Sequence, residues 1–155
     1  MVKPGWIPPA SPYSLVQEQL FPNEWLILVA AVFLNLTTRK QVDRVFPEFA
    51  RRWPTPQALL ACDREELVSL ISPLGFGNRR ADRLLRLASD YTTPGWVHAC
   101  ELHGVGEYGA RSWEIFCLGF LGDDLPTDGA LVKYWKWAKD NEVRNGDEEK
   151  AAAAA

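Results

Sequence analysis

Two glycines one residue apart, in Leu102-His103-Gly104-Val105-Gly106-Glu107-Tyr108-Gly109, are the first feature with chemical potential. Glycine lets a backbone turn tightly and present successive N–H groups. Where such a turn opens a helix, those amides and the helix dipole attract phosphate. Gly104 and Gly106 put no side chain in the way of a nucleic-acid strand, His103 flanks the turn, and Val105 is expected to pack inward. The same pattern fits a helix end followed by a new helix with no ligand. Cations gather at Arg39, Lys40 and Arg44, at Arg51 and Arg52, and at Arg79, Arg80, Arg83 and Arg86. Each group reads either as a footprint for phosphate or as a solvated helix face. The net charge of −3 argues weakly against nucleic acid, but the distribution of charge matters more than its sum.

Helices must position these residues. Trp6 to Pro12 contains three prolines and is expected to be an extended arm, with Trp6 and Ile7 laid on the domain. Ser14 caps a short helix with Gln17 at the capping-box position. Asn23 caps a helix to about Asn35 that is apolar nearly all round, which marks it as central and buried. Thr37 or Thr38 starts a helix with Val42, Val45, Phe46 and Phe49 on one face, ending near Trp53. Thr55-Pro56 is a cap followed by proline at the first helical position. Asp63 and Glu66 form a capping box, and Asn78 caps a helix that buries Ala81, Leu84, Leu85 and Ala88. Further helices run from Trp96 to Leu102, Glu107 to Leu118, and Asp128 to about Asn141. No segment alternates with period two, so the fold class is all-α, with roughly eight to ten helices.

With 155 residues, 47% of them apolar, one domain with a real core is available. Cys62, Cys100 and Cys117 share no CxxC spacing and sit in apolar stretches, so they read as reduced core thiols rather than disulfide, zinc or iron–sulfur ligands. The longest apolar run, Trp25 to Leu34, is too short to span a membrane. Residues 145–155, four charged side chains and then five alanines, are expected to form a frayed or appended tail with nothing to pack.

Leu102-His103-Gly104-Val105-Gly106 resembles the helix-hairpin-helix of the endonuclease III superfamily, which places a catalytic aspartate at a helix start after the hairpin. Asp128 stands at that place, behind the loop Gly122-Asp123-Asp124-Leu125-Pro126. A more specific set covers about Trp6 to Trp137. Trp6-Ile7-Pro8-Pro9, Ser11-Pro12-Tyr13-Ser14-Leu15-Val16-Gln17-Glu18, Phe33-Leu34-Asn35, Pro73-Leu74-Gly75 and Ile115-Phe116-Cys117 occur in order. Together they resemble the glycosylase domain of the methyl-CpG-binding thymine glycosylase family. The resemblance implies a DNA glycosylase fold over residues 1–144, with a DNA-binding cleft. It implies a monomeric nuclear base-excision enzyme without metal or cofactor, acting on thymine or uracil opposite guanine in duplex DNA.

Residue by residue, the resemblance gives Asp128 the catalytic carboxylate, which stabilises positive charge on the sugar and orients water. Its alternative is a plain N-cap. Gln17 and Tyr108 fall in the base pocket, against the alternatives of a capping box and a core aromatic. Tyr108 stands where bifunctional relatives carry a nucleophilic lysine, so the implied enzyme uses water and leaves the strand intact. Phe76 stands where the family has a leucine that fills the gap left by the base; its alternative is inward packing. Two departures are plain: Leu36 replaces a basic residue, and Gly129 and Ala130 replace a histidine and a lysine. Both remove phosphate or gap contacts, which leaves Arg39 or Lys40 to compensate; Arg79 is a further DNA-binding candidate. A catalytically silent duplex-binding module and a helical protein-interaction domain are the competing readings.

Overall fold

The computed structural model describes residues 1–35 and 37–154, and for residues 143–150 the backbone alone. The described residues form eight α-helices and two short 3-10 turns and contain no strand, in agreement with the all-α expectation. In order the helices are α1 (Val16–Leu20), α2 (Glu24–Leu34), α3 (Arg39–Arg52), α4 (Pro56–Leu60), α5 (Arg64–Ile71), α6 (Gly77–Thr92), α7 (Glu107–Cys117) and α8 (Gly129–Ala154). The 3-10 turns are Ser72–Leu74 and Ala99–Glu101. No helix among the described residues is long and apolar enough to cross a membrane.

The centre is α2. Every residue from Trp25 to Phe33 is buried, because the helix is apolar on all sides and only complete enclosure removes that surface from water. Asn23 starts it by accepting from the Leu26 amide at 3.0 Å. Helices α1, α3 and α7 pack around it, while α6 lies on α4 and α5. Thr38 caps α3, whose Val42, Val45, Phe46 and Phe49 face inward as their spacing predicts. Phe33, Phe49 and Trp53 meet edge to face at centroid distances of 5.1 and 5.3 Å.

Several local expectations are corrected. The Leu15 amide, not a Ser14 box, meets the Glu18 carboxylate at 2.6 Å, because Ser14 takes a left-handed φ of 49° and the helix starts one residue later. Asp63 caps α5 by accepting from the Glu65 amide, and the cap is not completed by Glu66. Phe76, not Asn78, is the residue before α6; it is left-handed at φ 54°, so the helix begins early. The Trp96–Leu102 helix shrinks to Ala99–Glu101. Trp96 is drawn out of helical geometry to pack edge on to Trp113 and donate its indole N–H to the Tyr91 carbonyl at 3.0 Å. Cys117 is buried as expected, but Cys100 is exposed. The backbone of α8 runs on to Ala154, through Glu148, Glu149, Lys150 and a run of alanines, all strong helix formers.

The proline-rich arm does lie on the domain, through Trp6 but not Ile7, which is 76% exposed. The Lys3 amide donates to the Cys117 carbonyl at 2.8 Å and the Trp6 indole to the Phe116 carbonyl at 2.9 Å. The ring rests against Gly119, where φ is +70° and a Cβ would come within 2.8 Å of it. The Tyr134 hydroxyl donates to the Pro9 carbonyl at 2.8 Å. The arm thereby joins the end of α7 to α8.

Among the described residues Glu24 is the one buried carboxylate. It accepts from the Tyr91 hydroxyl at 2.7 Å and the Trp113 indole at 2.9 Å, and the N-terminal amine sits 2.5 Å away. Burial alone would raise its pKa, yet these donors together hold it below the ordinary carboxylate value. The stabilisation is therefore complete above that value and is lost as pH falls through the folded one. Glu24→Leu should cost about 2–3 kcal/mol in urea unfolding at neutral pH, since two buried donors lose their partner. The deficit should narrow on acidification, and a pH-independent deficit would count against the carboxylate's role.

Candidate active site

The hairpin is built as its glycines require. Val105 donates its amide to the Leu102 carbonyl at 3.2 Å, closing the turn. Gly104 has φ +81°, and a Cβ there would lie 2.8 Å from the Arg83 side chain, so glycine is needed for conformation and for space. Gly106 has ordinary φ and open space where a Cβ would be. Its contribution is a bare approach: no side chain caps α7, so the first amides of that helix face outward unshielded. The His103 amide donates to Asp90 of α6 at 2.8 Å, fixing the turn against a second helix. Val105 packs inward towards Gly109 and Ala31.

This turn forms one wall of a cavity of about 1100 Å³. The other walls are Leu15 to Gln17 on α1, the C-terminal end of α2, and Asp128 to Ala130 at the start of α8. Asp128, Gln17, Tyr108, Arg39, His103, Gly104, Val105 and Gly106 thus line one space, though they are scattered along the chain.

Gln17 is 1% exposed. Its amide nitrogen donates to the Tyr108 hydroxyl at 2.7 Å and to the Ser112 hydroxyl at 2.9 Å. Glu18 does the capping, so Gln17 is a buried polar group turned towards the pocket helix rather than half of a box. The Tyr108 and Ser112 hydroxyls anchor the end of the amide between them. Burial pushes the Tyr108 phenol up to about 12; the bond from Gln17 and the charge of Arg39 oppose this, and the charge of Asp128 adds to it. Tyr108 therefore stays protonated at neutral pH and keeps a proton to donate.

Asp128 is an N-cap, and it also lines the cavity. Its Oδ2 accepts from the Leu131 amide at 3.1 Å, an N-cap that holds the carboxylate at the edge of the cavity. Arg39, from the first turn of α3, pairs with Asp43 at 2.8 Å and reaches the Ser14 carbonyl. Lys40 and Arg79 are exposed and lie outside the cavity wall. Phe76 also lies outside it; it is not packed inward but 66% exposed on its left-handed turn. Of the departures noted in the sequence, Gly129 and Ala130 leave the rim of the cavity bare, and Leu36 lies outside the described residues.

Three lining or supporting residues escape a reading by motif. Ser112 stands one helical turn beyond Tyr108 on the same face, a signal that was available in the spacing. Lys133 follows Asp128 on α8 and supplies a cation to a rim that has lost its neighbours. Arg80 was grouped with a basic face, yet it is buried. Its guanidinium donates to the Gly75 carbonyl at 2.8 Å, and Asn35 lies within 3.5 Å. It braces the Phe76 turn against the end of α2.

Comparison with known proteins agrees with this geometry. Residues 29–152 match the family model described as HhH-GPD superfamily base excision DNA repair protein. The methyl-CpG-binding domain protein 4-like protein of Arabidopsis thaliana is 34% identical over 134 residues, covering 86% of this chain and 30% of that protein. The thymine-DNA glycosylase of Aeropyrum pernix is 44% identical over 93 residues, 56% of this chain and 42% of that one. A solved structure of a thermostable thymine-DNA glycosylase superposes with a TM-score of 0.58 at 22% identity, over 72% of this chain and 52% of the other, which speaks for the fold. The chain spans about a third to a half of the length of these relatives. A helix-hairpin-helix turn, an aspartate lining the same cavity, and a family model matched over most of the chain agree: this protein belongs to the HhH-GPD superfamily of base excision DNA repair proteins.

Proposed function

We propose that the chain is a monofunctional DNA glycosylase that hydrolyses the N-glycosidic bond of thymine or uracil opposite guanine in duplex DNA. The observation that carries this is the shared cavity, which Asp128 and the hydrogen-bonded Gln17–Tyr108 pair line together. Relatives named thymine-DNA glycosylase and thymine/uracil-DNA glycosylase support it.

The chemistry follows from the groups present. A base must leave the stack before its sugar bond can be reached, at a cost of a few kcal/mol that is least at a mismatch. The bare amides of the hairpin hold a phosphate and draw the strand across the cavity. Phe76, exposed on its braced turn, enters the gap in the duplex. The Tyr108 hydroxyl donates to a carbonyl of the pyrimidine, and the Gln17 carbonyl accepts its imide N–H. As the bond breaks, negative charge leaves with the base and positive charge grows on the sugar. Asp128 stabilises that charge and takes the proton of the attacking water. No amine stands at position 108, so the product is an abasic site in an uncut strand.

Asn caps a helix as well as Asp does, so Asp128→Asn should fold and bind a G·U duplex with near-normal affinity. Its single-turnover excision should fall at least 100-fold, read as alkali-sensitive strand breaks. If wild type and variant are equally inert while both bind, the chain is a silent duplex-binding module. Replacing Arg39 and Lys40 together by alanine should weaken duplex binding and flatten its salt dependence by up to about two phosphate contacts. An unchanged slope of affinity against salt would remove these two residues from the interface.

A further inference from the structure

We infer that Arg111 is a positioning residue that fixes the aspartate-bearing loop to the pocket helix, an inference that rests on the glycosylase reading. The connection from α7 to α8 has no regular secondary structure, yet Asp128 at its end must be held still. Two of its carbonyls converge on one guanidinium. Arg111 Nη2 donates to the carbonyls of Leu121 at 3.0 Å and Asp124 at 2.6 Å, and Nη1 pairs with Glu114 at 3.2 Å. The side chain is 17% exposed, so water competes little for these bonds.

The surroundings are shaped to it. Gly122 has φ +68°, and a Cβ there would stand 3.1 Å from Arg111 Nη1 and 3.3 Å from the Phe120 ring, so the loop passes close over the guanidinium only with glycine. Glu114 is itself oriented from the other side by His98 Nε2 at 2.8 Å. The Leu121 carbonyl takes a second bond, from the Trp135 indole on α8 at 2.8 Å. The loop is thus tied both to the helix before it and to the helix after it.

Arg111 lies one turn after Tyr108 on α7. One rigid helix therefore sets the pocket phenol directly and the carboxylate through the clasp. Two carbonyls on Nη2 and a carboxylate on Nη1 together use the planar fork of arginine, which lysine does not reproduce. The geometry makes Arg111 a determinant of rate rather than of DNA affinity, because its guanidinium holds the loop before Asp128 and does not itself line the cavity.

The test compares wild type, Arg111→Met, Arg111→Lys and Trp135→Phe by hydrogen–deuterium exchange, duplex affinity and single-turnover excision on a G·U duplex. Exchange in 119–128 should rise in both Arg111 variants while the hairpin stays protected. Excision should slow at least tenfold with Kd changed less than twofold. Trp135→Phe, which leaves the guanidinium in place, should show the same pattern more weakly and guards against misfolding of the Arg111 variants. Wild-type exchange and rate in Arg111→Met, or a rise in exchange spread evenly over the chain, would overturn the proposal. A wild type inert on every duplex would end the glycosylase reading, and exchange in 119–128 would then decide the clasp by itself.

Discussion

A helix that is apolar on every side has no face to show to water, and α2 imposes that condition on everything around it. Helices α1, α3 and α7 pack against it. Its last turn, Ala31 to Asn35, ends at a cavity walled by α1, the hairpin and the start of α8. The cavity is the place where the jacket is left open. Its walls come from segments distant in sequence because the elements that enclose a central helix are themselves distant in sequence.

The two ends of this jacket handle buried polarity in opposite ways. Around Glu24 the donors of Tyr91 and Trp113 match a carboxylate, and the result is a closed network with stability as its product. Around Gln17 only the amide nitrogen is matched, by Tyr108 and Ser112. Its carbonyl is the unspent half. A buried amide with one end fixed and the other at a cavity wall is suited to recognise a planar polar ligand, because its orientation needs no rearrangement when the ligand arrives.

Much of this was legible in the sequence, for identifiable reasons. Caps at Asn23, Thr38, Thr55 and Asp63 act through their own side chains, so residue type sufficed. The glycine pair and Asp128 marked their elements as well as their site. Errors fell where backbone geometry overrode residue preference. Left-handed Ser14 and Phe76 shifted two helix starts, and no pattern of types announces a positive φ at serine or phenylalanine. Arg80 and Arg111 look like surface charge in a sequence; only the fold reveals that each holds backbone carbonyls. Trp96 left its helix for a tertiary partner, a contest that local propensity cannot decide.

The arm near the start of the chain has a consequence for synthesis. Trp6 is held by Phe116 and Gly119, and Pro9 by Tyr134. Contacts of such sequence separation form late, after the intervening chain exists to receive them. A ribosome must therefore release nearly the whole domain before the first dozen residues find their seat, and until then an indole and a run of prolines trail unprotected. The seam between α7 and α8 is closed by an arm that is made before either helix.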